Sequence, residues 1–545
     1  MVGPLAHAQA AWASHPQELA EQTLLFWTRA SHLAAHIGTR LTGGKSADPE
    51  KPHPDDERFS DPVWTEDPVW NALKESYLLL THHVLDMLHS TPGQAEAERR
   101  RAAFWWRQAL NALAPTNWLA TNPVAQRLAF ESGGKSLRAG MENMLADLRR
   151  GEVRMADPSD FQVGVNLAVT PGSVVYRNRL LEVVHYRPQT DKVHPVPIVI
   201  VTPWINKFYV LDLTPKKSMV RHLVAAGYSV FITSWKNPDA SMRDVTFDAY
   251  LTDGIDRIVN VAREICGAEK VHAVGYCIGG TALAMYMAWA NRHYAADAVP
   301  VGHWSVFTTL VDFHRPGDIE VFVDRYSVRY LQQQMGVQGY LDGRSMAASF
   351  RLLRSNGLIW HYIVRGWLYG EAPPAFDVLY WNMDTTRMPA AMHSWYLEQL
   401  YLENRLVEKD ALQLAGEPLD LGRIVQPLYA VAAEDDHIVP WREGFRVCKY
   451  VGGERRFVLT SSGHILGIIN PPVDPPKRRY RAGAVHAGES VTVWSDQATN
   501  QAGSWWTDWL AWLGERTGAQ SAAPPRASNK YPGLCAAPGT YVLER

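Results

Sequence analysis

The sequence predicts an α/β fold with a mostly parallel sheet and helical crossovers, and three observations carry that prediction. Short apolar runs of strand length recur only after Val163, and helical stretches separate them. Before that point the apolar and aromatic residues fall at three- and four-residue spacing, as on helices. A cysteine flanked by glycines, Cys277, sits where one apolar run gives way to a helical stretch.

In chain order, helical periodicity is clearest over Leu24 to Ile37, Tyr77 to Leu88 and Ala102 to Leu113. The stretch Glu131-Ser-Gly-Gly-Lys-Ser136 hints at a phosphate loop, but Ala129 stands where that motif has glycine, so it reads as a loop and helix start. Val174 to Tyr176 and Leu181 to Tyr186 read as an opening antiparallel pair. Strands are then expected at Ile198 to Val201, Ser229 to Thr233, Val271 to Val274, His303 to Thr308, Leu428 to Ala433 and Arg456 to Thr460, with helices between them. From Asp312 to about Gly422 the alternation stops, and so long a block between two strands should be an inserted helical cap rather than a loop. The expected organisation is a helical N-terminal domain over residues 1–160 and a catalytic domain over 161–545, with the cap at about 312–422.

Composition agrees with a large globular protein. At 545 residues, with 46% hydrophobic and 20% charged residues, the chain has ample core for more than one domain. A net charge of -2 gives no general case for nucleic-acid binding. No apolar run reaches the roughly 18 residues of a membrane span, and the first residues lack the pattern of a secretory signal. Four scattered cysteines, Cys266, Cys277, Cys448 and Cys535, suit neither a disulfide framework nor a C-x-x-C metal site.

The chemistry starts at Val271-His-Ala-Val-Gly275-Tyr276-Cys277-Ile278-Gly279-Gly280-Thr281. It is the pattern of a G-x-S-x-G strand-to-helix elbow with cysteine in place of serine, and the glycines relieve a crowded, strained backbone. A thiol there points to acyl transfer through a thioester, which keeps the acyl group activated for a later attack by an alcohol. The alternative is a cysteine that merely packs.

In this fold the order is nucleophile, acid, histidine. The strand ending at Ala433 runs into Glu434-Asp435-Asp436-His437, and the strand ending at Thr460 runs into Ser461-Ser462-Gly463-His464. Both loops follow strand carboxyl ends, where such a sheet keeps its active site. The expected triad is Cys277, Asp436 and His464, with His437 as a rival base and Glu434, Asp435 and Asp312 as rival acids. An oxyanion hole needs two backbone N–H groups. Ile278 supplies the one after the nucleophile, and Ile205, in the loop after the Ile198 strand, is the candidate for the second.

With these residues in place, the chain resembles the polyhydroxyalkanoate synthases. The resemblance rests on Gly-Tyr-Cys-Ile-Gly-Gly at 275 to 280, Pro-Trp-Ile-Asn-Lys-Phe-Tyr-Val-Leu-Asp-Leu at 203 to 213, Asp436-His-Ile-Val-Pro-Trp441 and Gly463-His464 followed by Ile469-Asn-Pro-Pro. Thr170-Pro-Gly-Ser-Val-Val-Tyr-Arg-Asn178, Ser234-Trp-Lys-Asn-Pro-Asp239 and Phe376-Asp-Val-Leu-Tyr-Trp-Asn382 fit as well. It implies an α/β-hydrolase fold and polymerisation of (R)-3-hydroxyacyl-CoA into polyester with release of CoA, in the cytoplasm on growing granules. It implies that Cys277 carries the acyl chain, that His464 activates the thiol, and that Asp436 assists attack by the 3-hydroxyl, directly or through His464. The resemblance implies no cofactor and no metal, the CoA thioester being the substrate, and it implies a homodimer that meets the polyester granule and its coat proteins.

The Tyr-Cys-Ile elbow is most like class I, the short-chain class that takes monomers such as 3-hydroxybutyryl-CoA, whereas the Pro-Gly-Thr-Tyr-Val-Leu-Glu-Arg545 ending resembles the medium-chain class. Two other functions fit the same residues: a cysteine-dependent thioesterase or polyester hydrolase, and a non-catalytic granule-associated protein. The cap aromatics Trp360, Trp367, Tyr369, Tyr380, Trp381, Trp395, Tyr396 and Tyr401 either pack the cap or line an apolar route to Cys277. Trp105, Trp106, Trp118, Trp505, Trp506, Trp509 and Trp512 either pack helices or meet a polyester surface or coat protein.

Overall fold

The computed structural model describes residues 2–545 apart from Asp55, Arg187 and Arg526, and the chain forms two compact units. The first comprises the residues up to Asp157 together with Ala348–Ala375. Its main helices are α1 (Pro16–Leu41), α2 (Pro68–His89), α3 (Glu96–Ala112) and α4 (Lys135–Arg150). Each of the three helical stretches read from the sequence lies in one of them, α3 stopping one residue short of Leu113. Asp67 caps α2 by accepting from the Val69 and Trp70 amides, and Pro68 occupies the first turn, where no N–H is missed. Gly151 ends α4 in the left-handed region that glycine enters without steric cost.

The segment 348–375 lies within the stretch expected to form the cap, yet it packs with these helices. A side chain at Gly140 would meet the Trp367 carbonyl at 2.0 Å, so only glycine lets α4 approach that closely. The Trp367 indole also donates to Asp147 at 2.9 Å. The helical unit is therefore not built from N-terminal residues alone.

The second unit, Pro158–Ala347 with Phe376–Arg545, contains an eleven-stranded sheet. Its strands are β1 (Gly172–Arg177), β2 (Leu181–Tyr186), β3 (Ile198–Val201), β4 (Val230–Trp235), β5 (Val271–Tyr276), β6 (Val301–Phe307), β7 (Leu428–Ala433), β8 (Arg455–Thr460), β9 (Arg479–Ala484), β10 (Thr499–Ala502) and β11 (Cys535–Ala536). The spatial order is β10-β9-β8-β7-β6-β5-β3-β4-β2-β1-β11. The six strands β3 to β8 pair in parallel, and the strands on either flank are antiparallel. This is the mostly parallel α/β sheet expected from the alternating pattern and the α/β-hydrolase architecture that the resemblance implies, with the eight expected strands present to within two residues at their ends.

The sequence reading had no place for β9, β10 and β11. They are flanking strands with little apolar content, and all four residues of β10 are exposed, so periodicity cannot single them out. The parallel strands β3, β4, β5 and β7, by contrast, are buried along their whole length, as a sheet covered on both faces requires. Behind β5 lies α5 (Ile278–His293), buried through its first thirteen residues.

The last helix, α6 (Trp506–Gly514), settles one choice left by the sequence. Trp505, Trp506, Trp509 and Trp512 are buried, and the first three donate their indole N–H groups to Gly467 O, Ile468 O and Ser305 Oγ. They pack the core. Trp106 and Trp118 of the first unit are exposed.

Buried histidines give this fold an acid limit. Burial, with the charge of Arg516 adding to it, pushes His303 down to about 4, and burial pushes His393 down to about 4. Both are neutral when folded, while the unfolded chain protonates them near 6.5. Their stabilising contribution is thus complete above about pH 6.5 and is lost as pH falls toward 4, up to ~3 kcal/mol for each. Urea midpoints measured between about pH 7.5 and 4.5 should fall steeply, and His303→Gln should flatten that fall.

Candidate active site

The site is assembled at the carboxyl end of the parallel strands, beginning with the turn from β5 into α5. Cys277 has φ 54° and ψ -125°, a conformation costly for a residue with a side chain. Its surroundings fix it there. Its N–H donates to Phe307 O at 2.9 Å, and its carbonyl accepts from the Gly280 and Thr281 amides. A side chain at Gly275 would lie 2.4 Å from Gly280 Cα, and one at Gly279 would lie 2.4 Å from the Val201 carbonyl. A side chain at Gly280 would collide with Thr309 Oγ1. The glycines of the motif thus let helix, turn and two strands meet. The result is a thiol held part-exposed at the sheet edge.

His464 reaches this edge from the turn after β8. Its carbonyl accepts from Tyr276 Oη at 3.2 Å, and the two rings stack with centroids 5.7 Å apart. The following turn is anchored below by Trp505 and Trp506. His464 Nδ1 lies 2.6 Å from Asp436 Oδ2. A carboxylate only accepts, so Nδ1 carries the hydrogen and Nε2 is left without one, able to accept a proton. Burial alone would lower the proton affinity of His464. The negative charges of Asp436 and Cys277 and their hydrogen bonds outweigh it and hold the imidazole well above its usual range.

Asp436 is held from both sides. Its Oδ1 accepts from the Ile438 and Val439 amides, both at 2.9 Å, while Oδ2 takes His464, and its side chain has no exposed surface. The carboxylate can therefore orient and charge-stabilise the imidazole, but it presents no free oxygen to a substrate.

Of the rival residues, Glu434 and Asp312 have their carboxylates engaged elsewhere. Glu434 pairs with Arg479 at 3.0 Å, and the Asp435 amide donates to Ser462 O. Asp312 accepts from Tyr450, from Asn404 and from the His314 amide and pairs with Arg446 at 2.9 Å. The His437 carbonyl accepts from the Asp318 amide.

Ile278 opens α5, so its amide belongs to the first turn, where no intrahelical acceptor exists. Ile205 follows β3 in a loop whose preceding residues, Val201 and Thr202, press against Gly279. Ile278 thus starts at the elbow, and the loop that carries Ile205 begins beside it. Two aromatics from the expected cap reach the same place. Burial raises Tyr396 and Tyr401, and the charge of Cys277 raises them further. The six other cap aromatics carry the same sequence signal, so composition cannot select these two. Thr309, which packs on Gly280 and donates to Phe307 O, had no sequence signal at all.

An elbow cysteine, an acid and a histidine in that chain order on this sheet fit the α/β-hydrolase class of enzyme, and residues 197–471 match the family model for the alpha/beta hydrolase fold. Residues 55–223 match the model for the poly-beta-hydroxybutyrate polymerase N-terminus. The chain is 41% identical to the poly(3-hydroxyalkanoate) polymerase subunit of Cupriavidus necator over 89% of its length and 83% of that protein. It is 39% identical to the poly(3-hydroxyalkanoate) polymerase of Methylorubrum extorquens over 99% of its length and 89% of that protein. Against poly(3-hydroxyalkanoate) polymerase 1 of Ectopseudomonas oleovorans it is 38% identical, covering 95% and 91%. The chain belongs to the poly(3-hydroxyalkanoate) polymerase family, a family of acyltransferases.

The crowding at the elbow is testable. The nearest contacts of a side chain at Gly275 are all backbone atoms of Gly279 and Gly280, which cannot rotate away. Gly275→Ala should therefore destabilise the second unit by ~2–3 kcal/mol and abolish turnover, read from urea midpoints and activity together.

Proposed function

We propose that this chain polymerises (R)-3-hydroxyacyl-CoA into polyhydroxyalkanoate with release of CoA, through a thioester on Cys277. What carries the reading is the buried contact of His464 with Asp436 at 2.6 Å beside the strained thiol. In the first step His464 Nε2 takes the thiol proton and the sulfur attacks the thioester carbonyl. The oxyanion is met by the Ile278 and Ile205 amides, and CoA leaves with the proton returned by the imidazolium. In the second step the 3-hydroxyl of another monomer attacks the acyl-enzyme, its proton passing to His464. The chain, one unit longer and still ending in a CoA thioester, is then taken back by the thiol with loss of CoA. Asp436 serves both steps through His464, because both of its oxygens are occupied.

The reading extends to the setting. A short-chain monomer such as 3-hydroxybutyryl-CoA is favoured, following the Tyr-Cys-Ile elbow, and the reaction uses no cofactor. The enzyme acts as a cytoplasmic homodimer on the granule. The first unit exposes Leu24, Trp27, Trp118 and Phe130, apolar side chains suited to a polyester surface or a coat protein. Among the described residues no helix is long and apolar enough to cross a membrane.

Incubation with 3-hydroxybutyryl-CoA should release CoA and deposit insoluble polymer. Free hydroxy acid as the only product would make the protein a hydrolase instead. Cys277→Ala should abolish CoA release while leaving the melting temperature unchanged. Asp436→Asn should slow thiol acylation and chain elongation alike, by on the order of 10³-fold, since it disturbs the tautomer that both steps need. Loss of elongation alone would show that Asp436 meets the hydroxyl directly.

A further inference from the structure

We infer that Thr386, within the inserted stretch, is a positioning residue that sets the direction of the Ile205 N–H and so keeps the second oxyanion donor aimed at the elbow. The inference rests on the thioester reading of Cys277 and adds to it a residue with no catalytic signature of its own.

The Ile205 N–H shares a peptide plane with the Trp204 carbonyl. A trans peptide is planar, so the Trp204 carbonyl and the Ile205 N–H point to opposite sides and rotate together. Thr386 Oγ1 donates to Trp204 O, and the Thr386 amide donates to Ile205 O at 3.1 Å. One residue thereby holds two successive carbonyls of the loop. Because the Trp204 carbonyl is drawn toward Thr386, the Ile205 N–H is turned away from it. Thr386 is itself 4% exposed, so water has little access to replace the hydroxyl.

The surrounding contacts restrain the loop at other points but leave this peptide to Thr386. Asn206 forms an isolated bridge with Thr385, Trp381 Nε1 donates to Lys207 O at 2.7 Å, and Lys207 pairs with Asp384 at 2.9 Å. Upstream, Trp235 Nε1 donates to Thr202 O at 2.8 Å. The Trp204 ring is buried against Trp235, Phe247 and Tyr250. The side chain of residue 204 is thus fixed independently of its carbonyl. Loss of the Thr386 hydroxyl frees a peptide flip that would carry a carbonyl to the place of the N–H without unfolding the loop.

The test uses the full chain with three readouts. Thr386→Val keeps the shape and removes the hydroxyl. It should lower kcat for CoA release by about 10- to 100-fold, with KM changed less than about twofold. Its melting temperature should stay at the wild-type value, and Thr386→Ser should return kcat to within about threefold of wild type. The same ratios are expected for acylation of Cys277 by a p-nitrophenyl ester, which needs the oxyanion donors but neither CoA nor polymer. That arm separates failure of this inference from failure of the polymerase reading. Wild-type kcat in Thr386→Val, a change confined to KM, a loss explained by a lower melting temperature, or a Thr386→Ser variant as impaired as Thr386→Val would each overturn the assignment.

Discussion

Everything at this site depends on how little room there is where β5 turns into α5. Cys277 keeps an unfavourable backbone conformation because moving out of it would break its bond to Phe307 and drive the helix start into β3. The strain is held by contacts that only glycine permits at three positions around it. Its product is geometric. The sulfur stands clear of its own backbone, beside the first-turn amide of Ile278, and the helix carries that amide wherever the thiol goes. A nucleophile on a relaxed loop would have neither property.

The acid and base are held by different means. Asp436 is locked by the backbone of its own turn, and His464 by Tyr276 and by tryptophans rooted in the last helix. Three separate strand ends thus converge on one hydrogen-bonded line, and no single flexible loop sets the distance between its members. The raised proton affinity of His464 follows from this convergence, since burial by itself would act in the opposite direction. A histidine that holds its proton firmly suits a partner that works as a thiolate. It is less suited to an alcohol, which needs a strong base only at the moment of attack.

What could be read from the sequence follows the same division. The parallel strands were legible because burial on both faces makes them largely apolar, and the approach of Asp436 to His464 because both residues sit on loops directly after such strands. The antiparallel strands β9 to β11 were not: β9 alternates only briefly, its arginines with Tyr480 and Ala482, β10 is exposed throughout, and β11 is two residues long. The grouping of 348–375 with the N-terminal helices was hidden for another reason: it turns on the absence of a side chain at Gly140, and a lone glycine in a helix has many possible meanings. Thr386 belongs to this hidden class. Its hydroxyl matters only through a carbonyl nearly two hundred positions away in the chain.

The thioester proposed on Cys277 would set a further requirement, on which two buried aromatics bear. Water competes with the 3-hydroxyl for the acyl group, and a polymerase fails if water wins. Tyr396 and Tyr401 are buried near enough to Cys277 to sense its charge, while Phe313 packs edge-on against both. These residues come from the same inserted stretch that supplies Thr386. The stretch therefore brings two buried aromatics near the sulfur and, through Thr386, a restraint on the peptide proposed to stabilise the oxyanion. Joining these two duties in one segment ties exclusion of water to readiness for chemistry: a displacement that wets the thiol also frees the Ile205 amide. An exposed thioester would then meet water at a site with a weakened oxyanion hole, so that hydrolysis slows in the state where water has access.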